Sequence, residues 1–279
     1  MIIILHNPLS GNGKSLKIIK KIKKDFKTKI IDVKNILEIS DVVSFIKSYP
    51  SKDEFIVLGG DGTISKFAND IYGFKITHKI YVYKAGSGND FYRSLHEKEK
   101  LIQINKYLKK LPTIVIDEKK VDLKYLNGVG IGLDANVCVN VNGHKGKKNK
   151  LNYFKQTLKA FRSTKKQTIE AEVDGKHYIY KDCWFAAVMN SPYEGGGMKL
   201  APNATRLNPQ LYLVVIKEIK KGFLPFILPL VYFGAHTRFK KYVSIVEGIN
   251  FKVWTEEKNN IQIDGEAYKN CREFLVKSF

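Results

Sequence analysis

Arginine is almost missing from this strongly basic chain. Of 48 basic residues only five are arginine (Arg93, Arg162, Arg206, Arg238 and Arg272), and the net charge is +21. Arginine is the usual bidentate reader of base edges, so its scarcity argues against specific nucleic-acid recognition. No zinc-finger, helix-turn-helix or RNP-type aromatic pattern is present either. Cysteine is equally sparse. Cys138, Cys183 and Cys271 are odd in number and far apart, which fits neither a disulfide framework nor a zinc site. Long hydrophobic runs are also lacking: no stretch approaches the roughly 20 apolar residues of a membrane span. Met1-Ile2-Ile3-Ile4-Leu5 is too short for a secretory signal and has no charged leader, so a reducing cytoplasm is expected. Internal repeats and low-complexity linkers are absent. The lysine clusters that remain suit an anionic membrane surface, and they equally suit an AT-rich coding composition.

What is present is globular and large enough for two domains, at 279 residues and 44% apolar. The first part alternates short apolar runs with amphipathic stretches. Ile2–His6, Ile30–Val33, Phe55–Leu58 and Ile80–Tyr83 read as strands. A Lys-rich helix with Leu16, Ile19, Ile22 and Phe26 on one face, a helix over Asp41–Ser48 and another over Lys98–Lys109 read as its covering layers. That alternation is the pattern of a parallel, doubly wound, Rossmann-like α/β unit. After about residue 112 the period changes. Thr113–Ile116, Val121–Leu126, Ile169–Val173, His177–Tyr180, Trp184–Met189, Leu211–Ile216, Val243–Val246, Phe251–Trp254 and Ile261–Ile263 read as strands of a mostly antiparallel β-sandwich. The expected division is a nucleotide-binding domain over 1–118, completed by 267–279, and a β-rich substrate domain over 119–266. A helix through Leu151, Phe154, Leu158 and Phe161 follows a polar loop at 142–150.

The most informative segment is Gly59-Gly60-Asp61-Gly62-Thr63, between an apolar strand and a helix start. Glycines let the backbone come close to a ligand, and successive N–H groups before a helix cradle an anion. Asp61 would repel that anion unless a divalent cation sat between them, so the stretch suggests a metal–nucleotide site. A space-saving turn is the alternative. Asn7-Pro8-Leu9-Ser10-Gly11-Asn12-Gly13-Lys14-Ser15 nearly matches a P-loop, but Pro8 stands where its first glycine belongs. A phosphate-facing loop and a plain helix-capping turn both remain open. Gly86-Ser87-Gly88-Asn89-Asp90 is a second small-residue loop at a strand end, where ligands of such sheets bind. Asp264-Gly265-Glu266 puts two carboxylates beside a glycine after an alternating strand, a common hairpin turn when taken alone.

Taken together and in this order, these segments resemble the diacylglycerol kinase catalytic-domain superfamily, which includes sphingosine and ceramide kinases and is related to NAD kinases and phosphofructokinases. Val121-Asp122, Asn127 to Val137 (NGVGIGLDANV), Gly195-Gly196-Gly197-Met198 and Ala201-Pro202-Asn203-Ala204 extend the match over nearly the whole chain. Departures stand at Ser65-Lys66, where the family usually has Asn-Glu, at Lys84-Ala85, where it has Pro followed by an apolar residue, and at Asn208-Pro209, where it has Asp-Gly. That Asp-Gly is similar to a structural magnesium position in bacterial members, and neutral Asn208 is a poorer hard-cation ligand.

The resemblance implies a soluble lipid kinase that moves the γ-phosphoryl group of ATP to a lipid hydroxyl, most simply diacylglycerol, in the presence of Mg²⁺. Asn7, Ser10, Gly11, Gly59, Gly60, Asp61, Gly62, Thr63, Gly86, Ser87 and Asn89 would hold the nucleotide, with backbone donors at Gly60, Gly62 and Thr63. Asp61 would engage the metal directly or through water, and Asp90 and Asp122 would extend that network. Asp264 would act as general base and Glu266 would orient it, facing the Gly59–Thr63 turn across an interdomain cleft. The partners implied are a lipid substrate and an anionic membrane surface bound peripherally, with a homodimer left open. The interfacial element suggested is the apolar stretch Gly222–Gly234 with its basic neighbours; a buried core helix is the alternative. Competing functions are an NAD-kinase-type nucleotide kinase and a divergent lipid-binding homologue with little activity.

Overall fold

Three apolar strands, a half-buried fourth and a lysine-rich first helix open the first compact unit, Met1–Lys110. The computed structural model describes residues 1–10, 15–27, 29–83, 89–143 and 150–279. In chain order the unit runs β1 (Ile2–His6), α1 (Ser15–Asp25), β2 (Ile31–Asn35), α2 (Val42–Lys47), β3 (Glu54–Leu58), α3 (Asp61–Ile71), β4 (Lys79–Tyr83), α4 (Asp90–Ser94), β5 (Leu101–Gln103) and α5 (Asn105–Leu108). The sheet order is β2-β1-β3-β4-β5. The first four strands are parallel, and β5 joins β4 antiparallel at the edge. Strands buried on both faces read as continuous apolar runs, as β1 and β3 do. On one face Ile2, Ile4, Ile56 and Leu58 meet Ile19 and Ile22 of α1. Leu16, expected on that same stripe, is exposed. α2 starts where the Asp41 carboxylate accepts the Ser44 N–H at 2.9 Å.

The helix expected over 98–109 is instead the edge strand β5 followed by the single turn α5. Asn105 explains the switch. Its side chain accepts from the Ile80 N–H and donates to the His78 carbonyl, both at 2.9 Å, so it continues the edge pairing of β4 in place of backbone. A strand register at 101–103 then leaves Ile102 and Ile104 buried.

The second unit, Leu111–Phe279, comprises β6 (Thr113–Ile116), β7 (Val121–Lys124), β8 (Gly128–Gly132), α6 (Leu133–Asn142), α7 (Lys150–Ser163), β9 (Gln167–Val173), β10 (Lys176–Met189), β11 (Leu211–Lys217), α8 (Leu224–Tyr232), β12 (Val243–Gly248), β13 (Asn250–Ile263) and β14 (Glu266–Lys277). The order is β12-β11-β10-β8-β13-β14-β6-β7, with β9 paired to β10 and β13. Two pairs of short expected strands prove to be single long ones. β10 absorbs His177–Tyr180 and Trp184–Met189, and β13 absorbs Phe251–Trp254 and Ile261–Ile263. Register shifts after Tyr180 and after Trp254 bend both strands, so β9 lies against their first halves and β8 against their second halves. The antiparallel sheet thereby wraps into a sandwich around Tyr125, Val129, Ile131, Val188, Leu213, Val253, Ile261 and Phe274. A second core, with Leu133, Phe161, Trp184, Tyr212 and Val231, seats the helices on its outer face.

The compact units divide between Lys110 and Leu111 rather than near 118. Residues 113–116 pair with β7 and with the C-terminal strand, and that strand, expected to complete the first domain, is β14 of the second. Its partners decide the matter, since β14 runs beside β13 through the Asp264-Gly265 hairpin. Among the described residues no helix is long and apolar enough to cross a membrane.

Candidate active site

In the first unit the turn after β1, the turn after β3 and the start of α4 meet at the carboxyl end of the parallel sheet, the end at which ligands of such sheets bind. The side chain of Asn7 joins two of them. It accepts the Leu9 N–H at 2.9 Å and donates to Thr63 Oγ1 at 2.9 Å. Ser10 closes the same turn by donating its N–H to the Asn7 carbonyl. Asn89 joins the start of α4 to the turn after β3, capping α4 through the Tyr92 N–H at 2.8 Å and reaching the Gly59 carbonyl at 3.5 Å. Asp61 completes the stitching. One carboxylate oxygen accepts the Asp90 N–H at 3.0 Å and the other the Phe91 N–H at 2.8 Å, so this residue at the start of α3 also caps α4. Asn7, Ser10, Gly59–Thr63, Asn89 and Asp90 are thus brought together. Gly11, Gly86 and Ser87 lie outside the described residues.

The glycines of this turn are not equivalent. A Cβ on Gly59 would lie 2.4 Å from Thr63 Cβ, so that position is closed by packing. At Gly60 and Gly62 a Cβ would meet nothing within 4 Å. Neither has a positive φ: Gly60 stands at −86° and Gly62 lies inside α3. Internal geometry therefore demands no glycine at either place. Gly60 is the N-cap of an eleven-residue helix and offers its first-turn N–H groups no side-chain acceptor. Thr63, expected as a backbone donor to a ligand, gives its N–H to the Gly60 carbonyl at 3.0 Å.

In the second unit Asp264 and Gly265 form the β13–β14 turn with φ of 49° and 91°. The Asp264 carboxylate accepts the N–H of Leu126 and of Asn127, both at 2.7 Å, and that of Gly128 at 3.4 Å. The carbonyl side of this segment is held as firmly. Leu126 O accepts from Arg206 at 2.5 Å and from Asn190 at 3.0 Å, and Arg206 also bonds Asn127 Oδ1 at 2.5 Å. Glu266 is exposed, one residue past the turn. Asp122, on β7, is exposed too.

Next to this turn lies a buried polar group that the sequence reading left without a role. Gln262, 1% exposed, donates through Nε2 to Glu194 at 2.5 Å and to Asp134 at 3.3 Å, and accepts the Gly265 N–H at 2.9 Å. Alternate glycines of β8 make room for the two carboxylates. A Cβ on Gly130 would fall 1.7 Å from Asp134 Oδ2, and one on Gly128 2.9 Å from Glu194 Oε2. Asp134 as a residue is only half-buried, but its Oδ1 is sealed from solvent. That enclosure pushes its carboxyl up to about 7, against hydrogen bonds from Ala135 and Gln262 that favour the charged form. The Tyr125 phenol and the Cys138 thiol are held well above their ordinary values by burial first and by nearby carboxylates second. One signal could have found this group, an aspartate just after a Gly-x-Gly-x-Gly strand; the rare arginine between Ala204 and Asn208 marks instead the Leu126–Asn127 segment.

Asp61 and Asp90 lie in the first unit and Asp122 in the second, and among the described residues no group of three or more His, Cys, Asp or Glu is arranged to hold a metal. Magnesium is usually held by one or two carboxylates, water and substrate phosphates, and Asp61 with Asp90 suits that donor set. Because both Asp61 oxygens already accept N–H groups, contact through water fits better than direct ligation. At the position of the family's structural metal, Asn208 serves a turn, accepting the Gln210 N–H at 3.1 Å.

Comparison with known proteins bears on both halves. Residues 1–123 match the diacylglycerol kinase catalytic domain, and residues 127–272 match the YegS C-terminal NAD kinase beta sandwich-like domain. A Bacillus subtilis (strain 168) protein named "Putative lipid kinase YtlR" is 28% identical, over 93% of this chain and 91% of its own. A Staphylococcus epidermidis (strain ATCC 12228 / FDA PCI 1200) protein of the same lipid-kinase designation is 27% identical over 65% of this chain and 64% of its own. Among solved structures, a Bacillus anthracis str. Sterne protein titled as a putative diacylglycerol kinase superposes with a TM-score of 0.67 at 21% identity, covering 100% of this chain and 92% of that one.

Proposed function

The chain belongs to the diacylglycerol kinase catalytic-domain family with its YegS-type β-sandwich, and from that premise we propose that it transfers the γ-phosphoryl group of ATP to a lipid hydroxyl. The observation that carries the nucleotide half is the open space over Gly60 and Gly62 at the N-terminus of α3. A glycine that neither backbone angle nor packing requires, at a helix start aimed out of a parallel sheet, leaves room for phosphate oxygens to reach the N–H groups. Asn7 and Asn89 act in this reading by fixing the loops rather than by holding phosphate with free side chains. Mg²⁺, carried in with the triphosphate, would neutralise phosphate charge, with Asp61 holding it through water and Asp90 beside it.

Phosphoryl transfer is largely positioning plus charge neutralisation, so the remaining task is to orient the lipid hydroxyl and take up its proton. Asp264 is the proposed base and Glu266 its partner. One observation favours exchanging their roles: the Asp264 oxygens accept three backbone N–H groups, whereas Glu266 is exposed. Asp264→Asn and Glu266→Gln separate the two assignments, because the base variant loses turnover while nucleotide binding persists. The acceptor lipid, diacylglycerol in the simplest case, would be met at an anionic membrane surface. The decisive test is ³²P transfer from ATP into a mixed-micelle panel of diacylglycerol, ceramide, sphingosine and phosphatidylglycerol, with NAD as a soluble competitor. Label in NAD alone would replace this reading with a nucleotide kinase. Label in no acceptor, with ATP and lipid still bound, would make the chain a binding homologue.

A further inference from the structure

Between β11 and β12 the second unit carries a helix that is apolar on both sides. Ile227 and Val231 of α8 pack against the core that holds Trp184 and Tyr212. The opposite side presents Phe223, Phe226, Pro229 and Phe233 at steps of three and four residues. Phe223 is 63% exposed, Phe226 74% and Phe233 79%, and Tyr232 and Phe239 flank them at 45% and 44%. A helix apolar all round is ordinarily buried all round, so one face of α8 lacks its cover. Its chain neighbourhood is strongly basic, and the nearest acidic residue in sequence, Glu218, is exposed, pairs with Lys217 and acts on Lys241. Lys220, Lys221, Arg238, Lys240 and Lys241 are all exposed, and no aspartate or glutamate occurs between residues 219 and 246. The helix is also tied down: the Lys199 N–H bonds the Val231 carbonyl, and His236 bonds the Leu200 carbonyl.

We propose that this face of α8 docks on an anionic lipid bilayer, with the phenylalanines at acyl depth and the five cations at the headgroups. Charge selects this occupant. A second copy packed face to face would set five cations against five with only Glu218 of each copy to offset them, whereas an anionic headgroup layer neutralises them. Nine residues of helix cover about 13 Å, so the element can only lie in the interface and not cross it. As a landing surface it deepens the lipid-kinase reading by naming the membrane partner and the element that meets it, but its test needs neither ATP nor turnover.

The test is co-sedimentation of the full chain with phosphatidylcholine vesicles, with and without phosphatidylglycerol. Wild type should bind only the anionic vesicles, and added salt should weaken binding. Phe226→Asp with Phe233→Asp should weaken partition by about tenfold or more, and Lys220→Glu with Lys240→Glu by a similar factor. Ile179→Asp, at a residue 59% exposed elsewhere on the second unit, is the control that should change nothing. Such exposed sites leave the fold intact, which near-ultraviolet circular dichroism checks. Undiminished binding in both double variants overturns the proposal. So does a wild type that ignores vesicles but sediments as a dimer which Phe226→Asp dissociates. Lack of vesicle binding beside active phosphoryl transfer to lipid would remove the docking surface and leave the kinase reading standing; the reverse pattern would do the opposite.

Discussion

At Gly62 an added methyl group would meet nothing within 4 Å, whereas at Gly130 it would lie 1.7 Å from a carboxylate oxygen. Both glycines sit in glycine-rich stretches, Gly62 in the first turn of α3 and Gly130 in the middle of β8, and the primary sequence does not tell them apart. In the first unit glycine keeps space free beside the backbone. In the second it lets the Asp134 carboxylate press against a strand, with Gln262 bridging it to Glu194. At Gly60 and Gly62 the open side lies at a helix N-terminus, whereas at Gly130 the space is already filled by a carboxylate.

Substitutions can break this contrast. The largest effect on stability is expected at Gly130→Ala, where Asp134 must be displaced from an enclosed site; urea denaturation should show a loss of about 3 kcal/mol or more. Asp134→Asn comes next and is read through pH. The Asp134 carboxyl lies near 7 when folded against an ordinary 3.8, so folding favours its protonated form. That contribution is full below the ordinary value and fades as the pH climbs through about 7. Between those limits this group makes stability fall with rising pH, by up to a few kcal/mol at about 1.4 kcal/mol per pH unit. Asp134→Asn should flatten that slope and leave the protein more stable than wild type at alkaline pH, measured by thermal melts across the range. A parallel slope in both proteins would show that the carboxyl is ordinary.

Asp61→Ala is third. Loss of the two acceptors that cap α4 should cost about 1–3 kcal/mol, and turnover should collapse with it, while Asp61→Asn should recover part of the stability and little of the rate. Gly62→Ala is the smallest in stability and the sharpest in meaning. A helical glycine replaced by alanine should stabilise by about 0.5–1 kcal/mol. If the space above it receives phosphate, the same change should lower phosphoryl transfer about tenfold or more. A variant both stabler and fully active would remove the observation on which the nucleotide half rests.

Much of this was legible beforehand because it rests on local pattern. The strands β1, β3 and β4 are unbroken apolar runs, and the turn between β3 and α3 shows its glycines openly. What escaped depends on partners distant in sequence. Residues 98–109 have helical composition, and only the side chain of Asn105, bonded to His78 and Ile80, turns 101–103 into an edge strand. The bends that merge two pairs of short strands into β10 and β13 are register shifts against other strands, β9 for β10 and β14 for β13. Asp264-Gly265-Glu266 was recognisable as a site candidate, but the grip of Asp264 on Leu126–Gly128 was not, because no local rule links residues 138 positions apart. Asp134, Glu194 and Arg206 went unassigned for the same reason.

That grip also sets an order of events during synthesis. Every strand pairing of the first unit joins residues within its first 103, so its sheet can assemble while the rest of the chain is still emerging. β8 can pair with β10 and β6 with β7 first, but their other edges are completed only when β13 and β14 have emerged. Long-range closure of this kind is slow, and domains form as units during elongation. Until residue 264 is translated, the peptide N–H groups of Leu126 and Asn127 have no carboxylate to receive them. A nascent chain stalled short of that point would hold a finished first unit and an open second one, a stage at which a chaperone or a protease would find its substrate.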